Sequence, residues 1–200
     1  MVGRALISVH DKTGLEDLAS VLDGFGVEFV ASSGTAAKLR ELGYNVTEVS
    51  DYTGYPESPG GLLKTLHPKI HGGLLLDGDN LAHRLYMERH NIKPFDFVVV
   101  NLYPFEAAMN RRAGLREAAD NIDIGGPTMI RAAAKAALLY DKVTVVVDPS
   151  QYEEIIDALG KNNGKIPTKM RMKLALEAFR RTSAYDAMIC KYLTKVNLVQ

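Results

Sequence analysis

The sequence has a single cysteine, Cys190, no surplus of charge of either sign and no long apolar run. One cysteine excludes an intrachain disulfide framework and a cysteine-rich metal centre. Lys and Arg number 24, as do Asp and Glu. The basic excess of a nucleic-acid-binding domain is therefore missing, and no nucleic-acid partner is expected. No stretch approaches the ~18 consecutive apolar residues of a membrane span. The N-terminal Met-Val-Gly-Arg-Ala-Leu-Ile runs straight into a strand-like segment without the features of a secretory leader. No membrane partner is expected, and the expected location is cytoplasmic. Also missing are the Gly-x-Gly-x-x-Gly fingerprint and the phosphate loop of nucleoside triphosphatases, which argues against NAD and ATP hydrolysis.

What is present is an ordinary globular composition, 46% hydrophobic and 24% charged over 200 residues. A chain of this length buries roughly 70% of its unfolded surface, so it folds without disulfides or metals. Strand-length apolar runs occupy Ala5 to Val9, Val27 to Ser32, Asn45 to Val49, Phe95 to Leu102 and Val143 to Val147. Two of them are continuous and β-branched, as strands buried on both faces of a parallel sheet are. Helical patterns lie between. The first begins near Thr13, which has capping-box spacing to Glu16, and Leu15, Leu18 and Leu22 then share a face. A second follows Gly34 and Thr35 and ends near Gly43. Others cover Asn80 to Asn91, Leu115 to Asn121, Pro127 to Tyr140, Pro149 to Leu159 and Pro167 to about Leu193, with Thr182-Ser183 as a possible break in the last. The alternation predicts an α/β sandwich with a mostly parallel sheet and right-handed crossovers. Asp51 to Asp79, rich in glycine and proline, reads as a long functional loop.

Ligands of open parallel sheets bind beyond the carboxyl ends of the strands. Three polar segments follow strands there: Ser8 to Gly14, Ser32-Ser33-Gly34-Thr35, and Asn101-Leu102-Tyr103-Pro104. The second opens a helix, where free N–H groups and the dipole favour an anion, and Lys12 could add charge. The same residues suit a simple capping turn. Lys64 lies among glycines and could stabilise developing negative charge, or it could be a solvated loop lysine. His67 and His71 are four apart, but Pro68 and the lack of a third ligand speak against zinc. Asp123-Ile124-Gly125-Gly126 precedes a helix carrying Arg131 and Lys135 on one face. A lysine among alanines could be close-packed and perturbed, or paired at the surface with Asp120 or Asp123. Cys190 and Phe179 are read as core.

Taken together these segments resemble the cyclohydrolase half of bifunctional purine-biosynthesis proteins, which combine formyl transfer and ring closure. The matching segments are ISVHDKTGL at 7–15, VASSGTA at 30–36, LKTLHPKIHGG at 63–73, VNLYPF at 100–105, IDIGGPTMIRAAAK at 122–135 and Ala184-Tyr185-Asp186-Ala187. They occur in the family's order across nearly the whole chain. The resemblance implies a methylglyoxal-synthase-like fold and a homodimer. It also implies conversion of formyl-aminoimidazole-carboxamide ribonucleotide to inosine monophosphate (IMP), without metal or cofactor.

By the same resemblance, Ser8, His10, Lys12, Ser32, Ser33, Gly34 and Thr35 form the nucleotide and phosphate cradle, with Thr65, Asn101 and Gly125 as further binding residues. Lys64 is the oxyanion stabiliser. Tyr103, Asp123 and Lys135 complete the catalytic group, Asp123 and Lys135 for proton transfer and Tyr103 for positioning. Residues 1–200 are expected to form one domain, with a core over 1–160 and a helical segment over 167–195. The formyltransferase domain is expected to be absent, so a separate formyltransferase would supply the substrate. Three departures stand out: Leu62 where relatives often carry arginine, His10 in place of a frequent serine, and Ala136 in place of a frequent asparagine. Two other readings suit a phosphate-binding α/β domain, a methylglyoxal-synthase-like lyase and a non-catalytic nucleotide-binding regulatory module.

Overall fold

The structure is a computed structural model that describes residues 3–103, 105 and 115–195. Five strands form one parallel sheet: β1 (Arg4–Val9), β2 (Glu28–Ala31), β3 (Val46–Glu48), β4 (Phe97–Asn101) and β5 (Thr144–Val146), in the order β3-β2-β1-β4-β5. All four pairings are parallel, and β1 at the centre pairs Leu6 with Val30 on one side and Val98 on the other. Every residue of β4 and β5 is buried, which explains their continuous apolar runs: both faces of the sheet are covered.

The helices are α1 (Leu15–Gly24), α2 (Ser33–Glu41), α3 (Val49–Thr53), α4 (Pro68–Leu75), α5 (Leu81–Arg89), α6 (Leu115–Asp120), α7 (Gly125–Tyr140), α8 (Tyr152–Lys161) and α9 (Thr168–Lys195). The chain runs outward from β1 to β3 and, separately, from β4 to β5. Right-handed crossovers in these opposite directions put α1 and α2 on one face of the sheet and α7 on the other. Helix α8 packs on α1, while α4 and α9 pack on α7. The result is the expected three-layer α/β sandwich. Its core is built on Leu6, Ile7, Leu18, Leu22, Ile70, Val98, Ile130 and Val145.

Four local expectations are corrected. The Thr13–Glu16 capping box does not form. Asp11 Oδ1 instead accepts from Thr13 N at 2.9 Å and Thr13 Oγ1 at 2.7 Å, and Gly14, at φ 68°, turns the chain into α1. The stretch from Asp51 to Asp79 is less irregular than its composition suggests. It holds the end of α3, a short 3-10 turn at Pro59–Gly61 and all of α4. Pro68 takes the first position of α4, where no N–H is needed, and His67 Nδ1 accepts from Lys69 N. Gly73 is required by packing, since a Cβ there would sit 2.5 Å from Lys93 O. Helix α9 runs unbroken through Thr182 and Ser183. Thr182 is buried, and its hydroxyl donates to Phe179 O at 3.2 Å. Cys190 is exposed on α9 rather than part of the core.

Candidate active site

Where β1 and β4 lie side by side, the connections on either side lead away from each other. That divergence opens a crevice at the carboxyl ends of the strands. A cavity of ≈ 500 Å³ occupies it. It is lined by Ser8 near the end of β1 with His10 and Lys12 beyond it, by Ser32, Gly34 and Thr35 at the start of α2, and by Lys64 and Thr65. Asn101 at the end of β4, Tyr103 just beyond it, and Asp123 and Gly125 at the start of α7 complete it. Five separate segments therefore converge, which no spacing in the sequence displays.

The floor is a chain of hydroxyls. Ser8 Oγ donates to Ser32 Oγ at 2.9 Å, and Ser32 Oγ lies 3.4 Å from Thr35 Oγ1. Thr35 Oγ1 accepts from Val9 N at 3.1 Å and is buried. Thr35 thus ties α2 to β1 and fixes the helix N-terminus toward the cavity. Asn101 is committed to the same task from β4. Its Oδ1 accepts from His10 N at 2.7 Å and Asp11 N at 2.9 Å, and its Nδ2 donates to Asp11 O at 2.7 Å. The amide holds the loop that carries His10 and Lys12. Tyr103 then packs on His10 with ring centroids 4.4 Å apart. Pro104, next in the motif, lies outside the described residues. The hydrogen bonds from Thr13 hold the Asp11 carboxyl below its ordinary range.

The two glycines before α7 have separate reasons. A Cβ on Gly125 would collide with Thr65 Oγ1, and one on Gly126 with the Asp123 carboxylate. Asp123 Oδ1 accepts from Gly126 N at 2.8 Å, which caps the first turn of α7. Its other carboxylate oxygen has no protein partner among the described residues. Asp123 N donates to Tyr185 Oη at 2.7 Å. Lys64 Nζ stands 3.4 Å from Glu57 Oε1, and Ser33 Oγ donates to Glu57 Oε2 at 3.0 Å.

Two expected site residues do not line the cavity. Ser33 turns to Glu57 at the rim. Lys135 is exposed on α7; nine residues beyond Gly126, it is displaced by about 13 Å along the helix. Neither Arg131 nor Lys135 pairs with Asp120 or Asp123 among the described residues. Arg131 lies over the Phe179 ring, 5.6 Å from its centroid. No group of three or more metal-ligating side chains occurs among the described residues. Burial lowers the proton affinity of both His67 and His71. Glu57 and Tyr185 are the residues the sequence reading missed in a site role. Only the Ala184–Ala187 motif pointed toward Tyr185, and nothing in the spacing pointed to Glu57.

This arrangement, a parallel sheet with a hydroxyl-lined crevice at its carboxyl edge, defines an α/β domain whose strand-end loops converge on one cavity. A family model of the MGS-like domain matches residues 14–128, more than half of the chain, and the chain belongs to that family. A second family model, that of the AICARFT/IMPCHase bienzyme, matches residues 133–200. The chain is similar to the bifunctional purine biosynthesis protein PurH of Persephonella marina, 50% identical over 96% of this chain. It is likewise similar to those of Bradyrhizobium diazoefficiens, at 48% over 97%, and Magnetococcus marinus, at 48% over 98%. It spans 36% of the length of each of these relatives. Among solved structures, that of ForH superposes with a TM-score of 0.81 at 32% identity, covering 96% of this chain and 100% of that one.

Proposed function

We propose that the chain is an IMP cyclohydrolase, closing the purine ring of 5-formamidoimidazole-4-carboxamide ribonucleotide with loss of water. The observation that carries this reading is the convergence of Lys64, Tyr103 and Asp123 on the one cavity that the Ser8–Ser32–Thr35 cradle also lines. The similarity to the PurH proteins and to the bienzyme family supports it.

The reaction needs little beyond positioning and proton transfer. The carboxamide nitrogen attacks the formyl carbon and gives up a proton, and the formyl oxygen becomes a hydroxyl. That hydroxyl leaves as water while the former formamide N–H loses its proton to form the ring C=N bond. Holding both reacting groups in one conformer supplies much of the acceleration. In this proposal the cradle and Lys12 grip the 5′-phosphate at the start of α2. Lys64 stabilises the negative charge that grows on the formyl oxygen. Asp123 moves protons with its uncapped carboxylate oxygen, and Tyr103, braced on His10, positions the base. Lys135, given a proton-transfer role by the resemblance, faces solvent in a single chain. Proton transfer within one copy therefore rests on Asp123.

No metal or cofactor has a step in this chemistry. The homodimer belongs to the proposal as well, supported by an exposed stretch of α7 bearing Lys135, Leu138 and Leu139. So does a cytoplasmic location, since no helix among the described residues is long and apolar enough to cross a membrane. A formyltransferase activity would supply the substrate. The test is to incubate the protein with the formylated nucleotide and follow IMP by absorbance and chromatography. IMP formation is the expected result. Release of methylglyoxal from dihydroxyacetone phosphate, with no IMP formed, would replace this reading with the lyase.

A further inference from the structure

Glu57 stands where an anionic ligand would be expected to bind. Its carboxylate accepts from the Ser33 hydroxyl at 3.0 Å through Oε2 and faces the Lys64 ammonium at 3.4 Å through Oε1. Ser33 is the first residue of α2, a nine-residue helix whose start lines the cavity through Ser32 and Gly34. A Cβ on Gly34 would meet nothing within 4 Å, so there is open space for a ligand at this helix start. Gly61, on the cavity wall, lets the pair form: a Cβ there would lie 3.0 Å from Glu57 Oε1 and 3.2 Å from Lys64 Nζ. Neither partner is buried; Lys64 and Glu57 keep 36% and 37% of their side-chain surface exposed. An ion pair this open is weak and exchangeable.

We infer that Glu57 is an internal competitor of the ligand phosphate, a specificity-determining residue that yields Ser33 to the phosphate and, in leaving, frees Lys64 for the formyl oxygen. This deepens the cyclohydrolase reading and rests on its placing of the phosphate near the start of α2. A phosphate dianion with oxygens to spare replaces the carboxylate at Ser33 and gains from the helix N-terminus as well. A monoanion such as acetate offers nothing that Glu57 does not already provide. A neutral nucleoside leaves the contact in place. The cost of displacing Glu57 falls on phosphorylated ligands alone, and the resting contact keeps common monoanions away from Lys64.

The experiment is calorimetric titration of the intact chain and its Glu57→Gln variant with inorganic phosphate, IMP, inosine and acetate, alongside the ring-closure assay. The expected result is that Glu57→Gln binds phosphate and IMP about threefold or more tightly, binds inosine unchanged, and acquires measurable inhibition by acetate. A Glu57→Ala variant that behaves the same way shows that the carboxylate charge is responsible. Unchanged or weaker binding of both phosphate and IMP in the two folded variants overturns the inference. If phosphate binds more tightly to the variants but neither protein forms IMP, the role of Glu57 stands and the cyclohydrolase reading fails.

Discussion

The hydroxyl of Tyr185, a buried residue of α9, accepts the Asp123 backbone N–H at 2.7 Å and lies 3.4 Å from Asn121 O. A residue 62 positions further along the chain therefore fixes the loop that presents the proposed proton-transfer carboxylate. Burial raises the Tyr185 phenol above its ordinary value, so it remains a neutral hydrogen-bonding group. Tyr185→Phe would leave the Asp123 N–H and the Asn121 carbonyl short of a partner. The expected destabilisation is about 1–3 kcal/mol, read as a lower denaturation midpoint. Turnover should fall about tenfold with little change in KM, because a small misplacement of a reacting group is costly in rate. A variant with normal kcat would show that Asp123 does not depend on this bond.

Gly125→Ala is expected to affect activity more than folding. The added methyl meets Thr65 Oγ1, and Thr65 adjoins Lys64. Either the 64–65 segment or the first turn of α7 must move. The stability cost of such overpacking is about 1–3 kcal/mol, while IMP formation should drop by about two orders of magnitude as Lys64 and Asp123 separate. Steady-state kinetics together with a thermal melt distinguish the two effects.

His71 gives the fold a pH dependence. Burial lowers its imidazole below the ordinary 6.5, against an opposing hydrogen bond with the Thr65 backbone, and its Nε2 is buried without a partner. Below about pH 6.5 the unfolded chain takes up a proton that the folded one resists. The stability contributed by neutral His71 is therefore complete above that pH and is lost as pH falls through the lowered folded value. Melting temperatures measured between about pH 7.5 and about pH 5 should fall in the parent protein and fall less in His71→Asn. Equal slopes in the two proteins would contradict the assignment.

Much of this architecture is visible in the sequence because its signals are local. Four of the five strands lie within their expected runs and β1 starts one residue earlier, at Arg4, while Pro127 to Tyr140 sits inside α7, which starts two residues earlier at Gly125. The errors arise where tertiary contacts override composition. Helix α4 hides behind Gly72 and Gly73, which weaken helical propensity but admit Ile92, Lys93 and Phe95. Thr13 caps nothing because Asp11 binds both its N–H and its hydroxyl, and Gly14 opens α1 without a side-chain cap. The site residues were legible as motifs, but their duties were not. Nothing in the sequence tells that the Asn101 side chain is spent on the His10–Asp11 loop, or that Lys135 lies along α7 away from the cavity. The Glu57–Ser33 contact spans 24 residues and joins a loop to the first turn of α2, so no periodicity encodes it.

The most direct measurement is the rate of conversion of 5-formamidoimidazole-4-carboxamide ribonucleotide to IMP by the parent chain, Lys64→Ala and Asp123→Asn, without folate or metal. The account predicts turnover by the parent and a loss of at least about a hundredfold in kcat/KM for each variant, with folding intact. Turnover undiminished in both variants would place the chemistry elsewhere, and no turnover by folded parent protein would contradict the assignment of this cavity as a cyclohydrolase site.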